Sequence, residues 1–155
     1  MPVFNQEKFV GRAIDSILSQ TFRNREAIIV DDGSTDRSLQ RVEAYTGRGN
    51  IRVLQQKNQG PEVARNCGAY VAKFEYLVFL DSVDVFYPFA LETLDRVIRR
   101  FCSPPLVLAD LLFFHTDRGI AAQPKAPIEV YKYADFLSRT RPLGSAKPSW
   151  LSQLY

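Results

Sequence analysis

Ala27-Ile28-Ile29-Val30-Asp31-Asp32-Gly33-Ser34-Thr35-Asp36 is the stretch on which the fold turns. Four apolar residues without a break, three of them β-branched, predict a short strand covered on both faces. The acidic turn that follows ends the strand abruptly, and Asp36 reads as the cap of a helix over Asp36 to Tyr45 that buries Leu39 and Val42. Upstream, Val10, Ala13, Ile14, Ile17 and Leu18 recur at helical spacing, which predicts a helix from Gln6 to Gln20 with Asn5 as its N-cap. Downstream, Ile51 to Leu54 reads as a further strand and Asn58-Gln59-Gly60 as a loop. Pro61 can open a helix, whose Ala64, Cys67, Gly68 and Val71 give it a narrow face of small residues.

The same alternation continues. Tyr76-Leu77-Val78-Phe79-Leu80 predicts a strand that runs directly into Asp81. Pro88 to Phe101 predicts a helix with Leu91, Leu94, Val97, Ile98 and Phe101 on one side, and Leu106 to Phe114 another strand. Strands alternating with helices through short loops give an α/β class with a doubly wound, mostly parallel sheet. Residues 1–116 form the expected domain. In 117–155 the pattern weakens to one short helix, Lys132 to Arg139, and a weakly structured tail containing Pro142, Gly144 and Pro148.

Composition narrows the function classes. At 155 residues the chain suits one compact domain, and 46% hydrophobic with 24% charged residues is a globular composition. A net charge of +3 is too small to point to nucleic acid, and Arg99-Arg100 reads as the cationic end of a helix. No apolar run reaches the roughly 20 residues needed to span a bilayer. Nothing near the start reads as a signal peptide, since Asn5, Gln6, Glu7 and Lys8 are polar. Cys67 and Cys102, both in apolar helical settings, read as reduced core thiols, which together with the start points to the cytoplasm.

In a parallel sheet the ligand crevice lies beyond the carboxyl ends of the strands. Asn5, Asp31-Asp32-Gly33-Ser34 and Asp81-Ser82-Val83-Asp84 all fall there. Such carboxylates can accept hydrogen bonds from a nucleoside and offer hard oxygen ligands to Mg²⁺ or Mn²⁺ bridging a diphosphate. A dinucleotide-dependent oxidoreductase shares the architecture, but no Gly-x-Gly-x-x-Gly follows a strand here.

Four segments, in order, carry a resemblance. Pro2-Val3-Phe4-Asn5 with Ser16-Ile17-Leu18-Ser19-Gln20-Thr21-Phe22 resembles the opening of family 2 glycosyltransferases, enzymes of GT-A, Rossmann-like fold. Ile28 to Asp36 is similar to their nucleotide-binding turn. Asn58-Gln59-Gly60-Pro61 leading to Ala64-Arg65-Asn66-Cys67-Gly68 is similar to a third family segment, and Tyr76 to Asp84 to the strand and acidic motif that close the site. Together they cover about residues 2 to 100. The resemblance implies a substrate-binding set of Pro2, Phe4, Asn5, Asp31, Asp32, Arg65, Asn66, Asp81 and Ser82. In it Phe4 stacks on the base, Asp32 with Asp31 beside it contacts a uracil-like edge and ribose, Arg65 offsets phosphate charge, and Asp81 faces the ribose or a metal-bound water. It implies a nucleotide diphosphate sugar, most naturally a UDP-sugar, as donor, and an acceptor hydroxyl that attacks with inversion while a carboxylate takes its proton. The setting it implies is polysaccharide or cell-envelope synthesis, with peripheral association at the membrane compatible.

Departures from the pattern set the remaining expectations. The family's principal metal ligand is a carboxylate at the position of Val83, so Mg²⁺ or Mn²⁺ would rest on Asp81 and Asp84 and bind weakly. The family carries an apolar strand ahead of Pro2, central in its sheet, where this sequence has only Met1. Its catalytic base lies in a downstream Glu-Asp pair that is not found after Asp84. Asp117, Glu129 and Asp135 read as surface carboxylates and His115 as half-buried, so no base is named. The expectation is therefore the fold truncated at both ends. It leaves two readings of function: a glycosyltransferase, or an inactive, pseudogene-like fragment that keeps partial nucleotide binding.

Overall fold

The computed structural model describes residues 1–100. Three parallel strands, β1 (Pro2–Val3), β2 (Ala27–Asp31) and β3 (Ile51–Gln55), stand in the order β1-β2-β3. Pro2 lies opposite Val30, and Ala27 through Asp31 lie opposite Ile51 through Gln55. Helices α1 (Val10–Leu18) and α2 (Ser38–Glu43) connect these strands, and α3 (Pro61–Tyr70) and α4 (Ala90–Arg100) follow them.

The unbroken apolar run in β2 is explained by helices on both sides of the sheet. Ile29 joins Val10, Ala13, Ile14 and Ile17 of α1 and Val42 of α2 in one buried cluster. Ile28 and Val30 point the other way, against Gly68 of α3, where an added Cβ would sit 3.4 Å from Val30 Cγ2. Side chains alternate along a strand, so one five-residue element serves two layers. The doubly wound, parallel α/β class is thus present. Cys67 on α3 is half-buried and free. No helix among the described residues is long and apolar enough to cross a membrane.

Two sequence expectations are corrected. Helix α1 begins at Val10, after Phe9, with no side-chain cap. Asn5 does not cap it: the residue adopts φ 53°, and its Oδ1 accepts from Thr35 N–H at 2.8 Å and Asp36 N–H at 3.3 Å. Gln6 N–H donates to Ser38 Oγ, and Glu7 N–H to Asp36 Oδ2. The Asn5 side chain is thus committed to the loop at Thr35 and Asp36 and cannot cap α1. The second correction concerns Tyr76 to Leu80, which is no strand. A ladder needs a neighbour of matching length, and β1 supplies only Pro2 and Val3 beside β2.

The segment is nevertheless anchored at its end. Leu80 packs into the core cluster. Gln20, fully buried, donates from Nε2 to the Ser16 and Tyr87 carbonyls and accepts from Leu91 N–H at Oε1. Arg25 closes the far end of α1, donating to the Ile17 and Leu18 carbonyls. On α4, Val97 is buried and Leu91, Leu94 and Ile98 are half-buried, as the helical spacing predicts. The expected strand 106–114, helix 132–139 and tail, with Cys102, Asp117, His115, Glu129 and Asp135, lie outside the described residues.

Candidate nucleotide site at the carboxyl edge of the sheet

The turn after β2 is built around Gly33. Its φ is 74°, and a Cβ there would approach the Asn58 backbone nitrogen to 2.8 Å, so only glycine lets this turn lie against the loop before α3. That close approach positions Asp32. Its Oδ1 accepts from Gln56 Nε2 at 2.7 Å and Gln59 N–H at 2.9 Å, and Oδ2 accepts from Gly60 N–H at 2.9 Å. Burial by itself would raise the Asp32 pKa, but the Gln59, Gln56 and Gly60 donors outweigh it and hold the carboxyl below the usual carboxylate range. Asp32 is thus an ionised clamp between β2 and the start of α3.

Asp31, fully buried, accepts from Ser34 N–H at Oδ2, while its Oδ1 is buried with no hydrogen-bond partner. Phe4, directly after β1, is exposed at the same edge. Asn5 holds the loop 34–36 as described, and its N–H donates to Ser34 Oγ at 3.1 Å. Pro2 is buried within β1. These placements gather Phe4, Asn5, Asp31 and Asp32 around the ends of adjacent strands.

The second half of the set is joined through α3. Arg65 lies about 8 Å along the helix axis from Gly60, at 1.5 Å per residue, and its Nη2 meets Asp81 Oδ1 at 2.7 Å. The Asp32 clamp holds the start of α3, and the ion pair joins the second turn of the same helix to Asp81. Asn66 is exposed on the same helix and Ser82 is buried in the following turn. Asp84 N–H donates to the Asp81 carbonyl at 3.0 Å. The Asp84 carboxyl is pushed up by burial and then by the Asp81 charge. Val83 is exposed between them and offers no oxygen. Among the described residues no group of three or more His, Cys, Asp or Glu side chains is arranged to hold a metal ion.

Sequence reasoning missed several participants. Gln56, Gln59 and Gly60 serve Asp32 from three positions whose spacing carries no periodic signal; the resemblance marks Gln59 and Gly60 as part of a motif but does not tie them to Asp32.

The profile of the family described as Glycosyl transferase family 2 matches residues 1–142. Glycosyltransferase GlyG of Streptococcus pneumoniae is 42% identical over 101 residues, which are 64% of this chain and 34% of GlyG. Minor teichoic acid biosynthesis protein GgaA of Bacillus subtilis is 36% identical over 60% of this chain and 22% of its own length. The crystal structure of S. aureus TarS residues 1–349 superposes with a TM-score of 0.60 and 34% identity, over 64% of this chain and 31% of that one. TarS has also been crystallised with UDP and with UDP-GlcNAc. The chain spans about a third or less of the length of these relatives.

Proposed function

The chain belongs to glycosyltransferase family 2, and from that premise we propose that its strand-end cluster holds the nucleotide diphosphate of a sugar donor, a UDP-sugar, for transfer to an acceptor hydroxyl. The observation that carries this reading is the Arg65–Asp81 contact at 2.7 Å, reached from the helix that Asp32 clamps. It joins the guanidinium on α3 to the Asp81 carboxylate, and the Asp32 hydrogen bonds tie the start of the same helix to the turn after β2. Phe4 supplies the stacking surface for the base. Asp32, with the buried Asp31 beside it, supplies acceptors for base and ribose donors. Arg65 turns from Asp81 to the diphosphate, a forked cation matching phosphate oxygens. Asn66 and Ser82 flank it, and Pro2 and Asn5 hold the frame. UDP and UDP-GlcNAc bound to TarS support the choice of donor, and GgaA supports a cell-envelope polysaccharide as the setting.

A divalent cation fits this edge in part. Mg²⁺ needs only one or two protein carboxylates beside substrate phosphates, and Asp81 and Asp84 form such a pair, with mutual repulsion that a cation relieves. When bound, it would stabilise the charge growing on the departing diphosphate. Valine at 83 removes a ligand and Arg65 competes for Asp81, so we infer weak binding. That weakness favours a second reading, in which the chain binds nucleotide without transferring sugar.

Calorimetric titration with UDP, with and without Mn²⁺, tests the site. Wild-type chain should bind UDP with little gain from Mn²⁺, and Val83→Asp should make the Mn²⁺-dependent affinity at least 5-fold tighter. Absence of UDP binding at millimolar concentration would refute the nucleotide site. Tight Mn²⁺-dependent binding that Val83→Asp leaves unimproved would refute the metal reading. Release of sugar from a UDP-sugar separates transfer from binding alone.

A further inference from the structure

The Asp32 carboxylate, which the donor-site reading assigns to the base and ribose, is only 2% exposed. A ligand therefore reaches it only where one of its covering donors gives way. Two of those donors, the Gln59 and Gly60 N–H groups, belong to the backbone at the start of α3 and are held by the path of the chain. The third is the Gln56 side chain, whose Nε2 donates to Oδ1 at 2.7 Å. The Gln56 backbone is fixed. Its N–H donates to the Asp31 carbonyl at 2.9 Å, directly after the β2–β3 ladder ends at Asp31 and Gln55. Its carbonyl lies 3.3 Å from where a Cβ on Gly33 would stand. Gln56 is half-buried, and its side chain turns about single bonds, so of the three donors this one is free to leave toward solvent. A glutamine carboxamide also presents an N–H beside a carbonyl, the pairing that a uracil ring presents at N3 and O4.

We propose that Gln56 is a resident stand-in for the base: its carboxamide occupies the acceptor position on Asp32 that a uracil N3–H takes in the complex, and the nucleotide binds by displacing it. This rests on the donor-site reading and adds a specificity-determining residue to it. A buried, ionised carboxylate oxygen short of donors is costly, so the free chain keeps Oδ1 paired with its own side chain. On binding, one N–H···O⁻ bond replaces another, and the released carboxamide is hydrated. The base therefore contributes only the difference between two similar bonds. A ligand with no ring N–H breaks the Gln56 bond and returns nothing to Oδ1, which is a penalty against it rather than a missing attraction. Gln56 thus lowers the affinity for every nucleotide and lowers it most for those that cannot donate.

Two measurements on the 155-residue chain test this. In isotope-labelled protein the Gln56 side-chain NH₂ resonances, identified by their loss in Gln56→Ala, should lie away from those of a solvated glutamine and move to them on saturation with UDP. By calorimetry, Gln56→Ala should bind UDP at least 5-fold more tightly than wild type, because no internal bond has to break. A residue that merely held Asp32 in place would weaken binding when removed, the opposite sign. Gln56→Met, which keeps the length and cannot donate, should behave as Gln56→Ala does. N3-methyl-UDP, which has no ring N–H, should gain nothing from either substitution. Weaker UDP binding by both variants, an equal gain for N3-methyl-UDP, or NH₂ resonances that stay in place at saturating UDP would overturn the proposal. The resonances are read on the wild-type chain, so they decide the matter should the variants unfold. UDP binding with Gln56 unmoved removes this proposal alone, whereas no UDP binding by the wild type removes the donor-site reading and this proposal with it.

Discussion

Asp32→Ala should destabilise the protein by about 3 kcal/mol. The carboxylate accepts three hydrogen bonds, two from the backbone N–H groups of Gln59 and Gly60 and one from the Gln56 amide. Hydrogen bonds to a charged group contribute about 1.5–3 kcal/mol each, and a donor left buried costs about 1–3 kcal/mol. Gln59 is exposed and Gly60 half-buried, so water recovers part of that loss, and the Gln56 side chain can swing outward. Counting the two backbone bonds near the low end of the range gives ~3 kcal/mol, a large share of the roughly 5–15 kcal/mol that holds a domain together. Asp32→Asn keeps one oxygen but turns an NH₂ toward one donor, so about half the loss is expected. Urea denaturation at pH 6 supplies the measurement, and repeating it near pH 3 adds a sign test. A carboxyl held below its ordinary pKa contributes stability that is complete above the unfolded value, about 3.9, and fades as pH falls through the folded value. The gap between wild type and Asp32→Ala should therefore narrow in acid. A loss under about 1 kcal/mol at pH 6, or a gap that widens toward pH 3, would refute the clamp.

Gly33→Ala should cost at least ~2 kcal/mol in the same assay. It combines a left-handed backbone, about 1–2 kcal/mol for alanine, with a Cβ placed 2.8 Å from the Asn58 nitrogen. Arg65→Met should separate stability from binding. The pair with Asp81 is partly exposed, 28% and 51%, so unfolding should shift by under ~1 kcal/mol, while UDP affinity measured by calorimetry falls at least 10-fold.

Local pattern determined the layer scheme. An unbroken apolar run at Ala27 to Val30, apolar residues at helical spacing in α1 and α4, and proline at the first turn of α3 each reflect a constraint acting within a few residues, and each element forms within the span its pattern marked, α1 in a shorter length than expected. The acidic turns were legible for the same reason, since polar residues directly after a strand fall at the sheet's carboxyl edge. What those carboxylates touch was decided only in three dimensions. Asp32 is held by Gln56, Gln59 and Gly60, and Asn5 is committed to the loop at Thr35 and Asp36 rather than to α1. Tyr76 to Leu80 has the composition of a strand, but a strand exists only as half of a pair, and hydrogen-bonding partners are a property of the neighbouring chain. Burial and partner geometry, which lower the Asp32 pKa and raise that of Asp84, arise in the folded molecule alone.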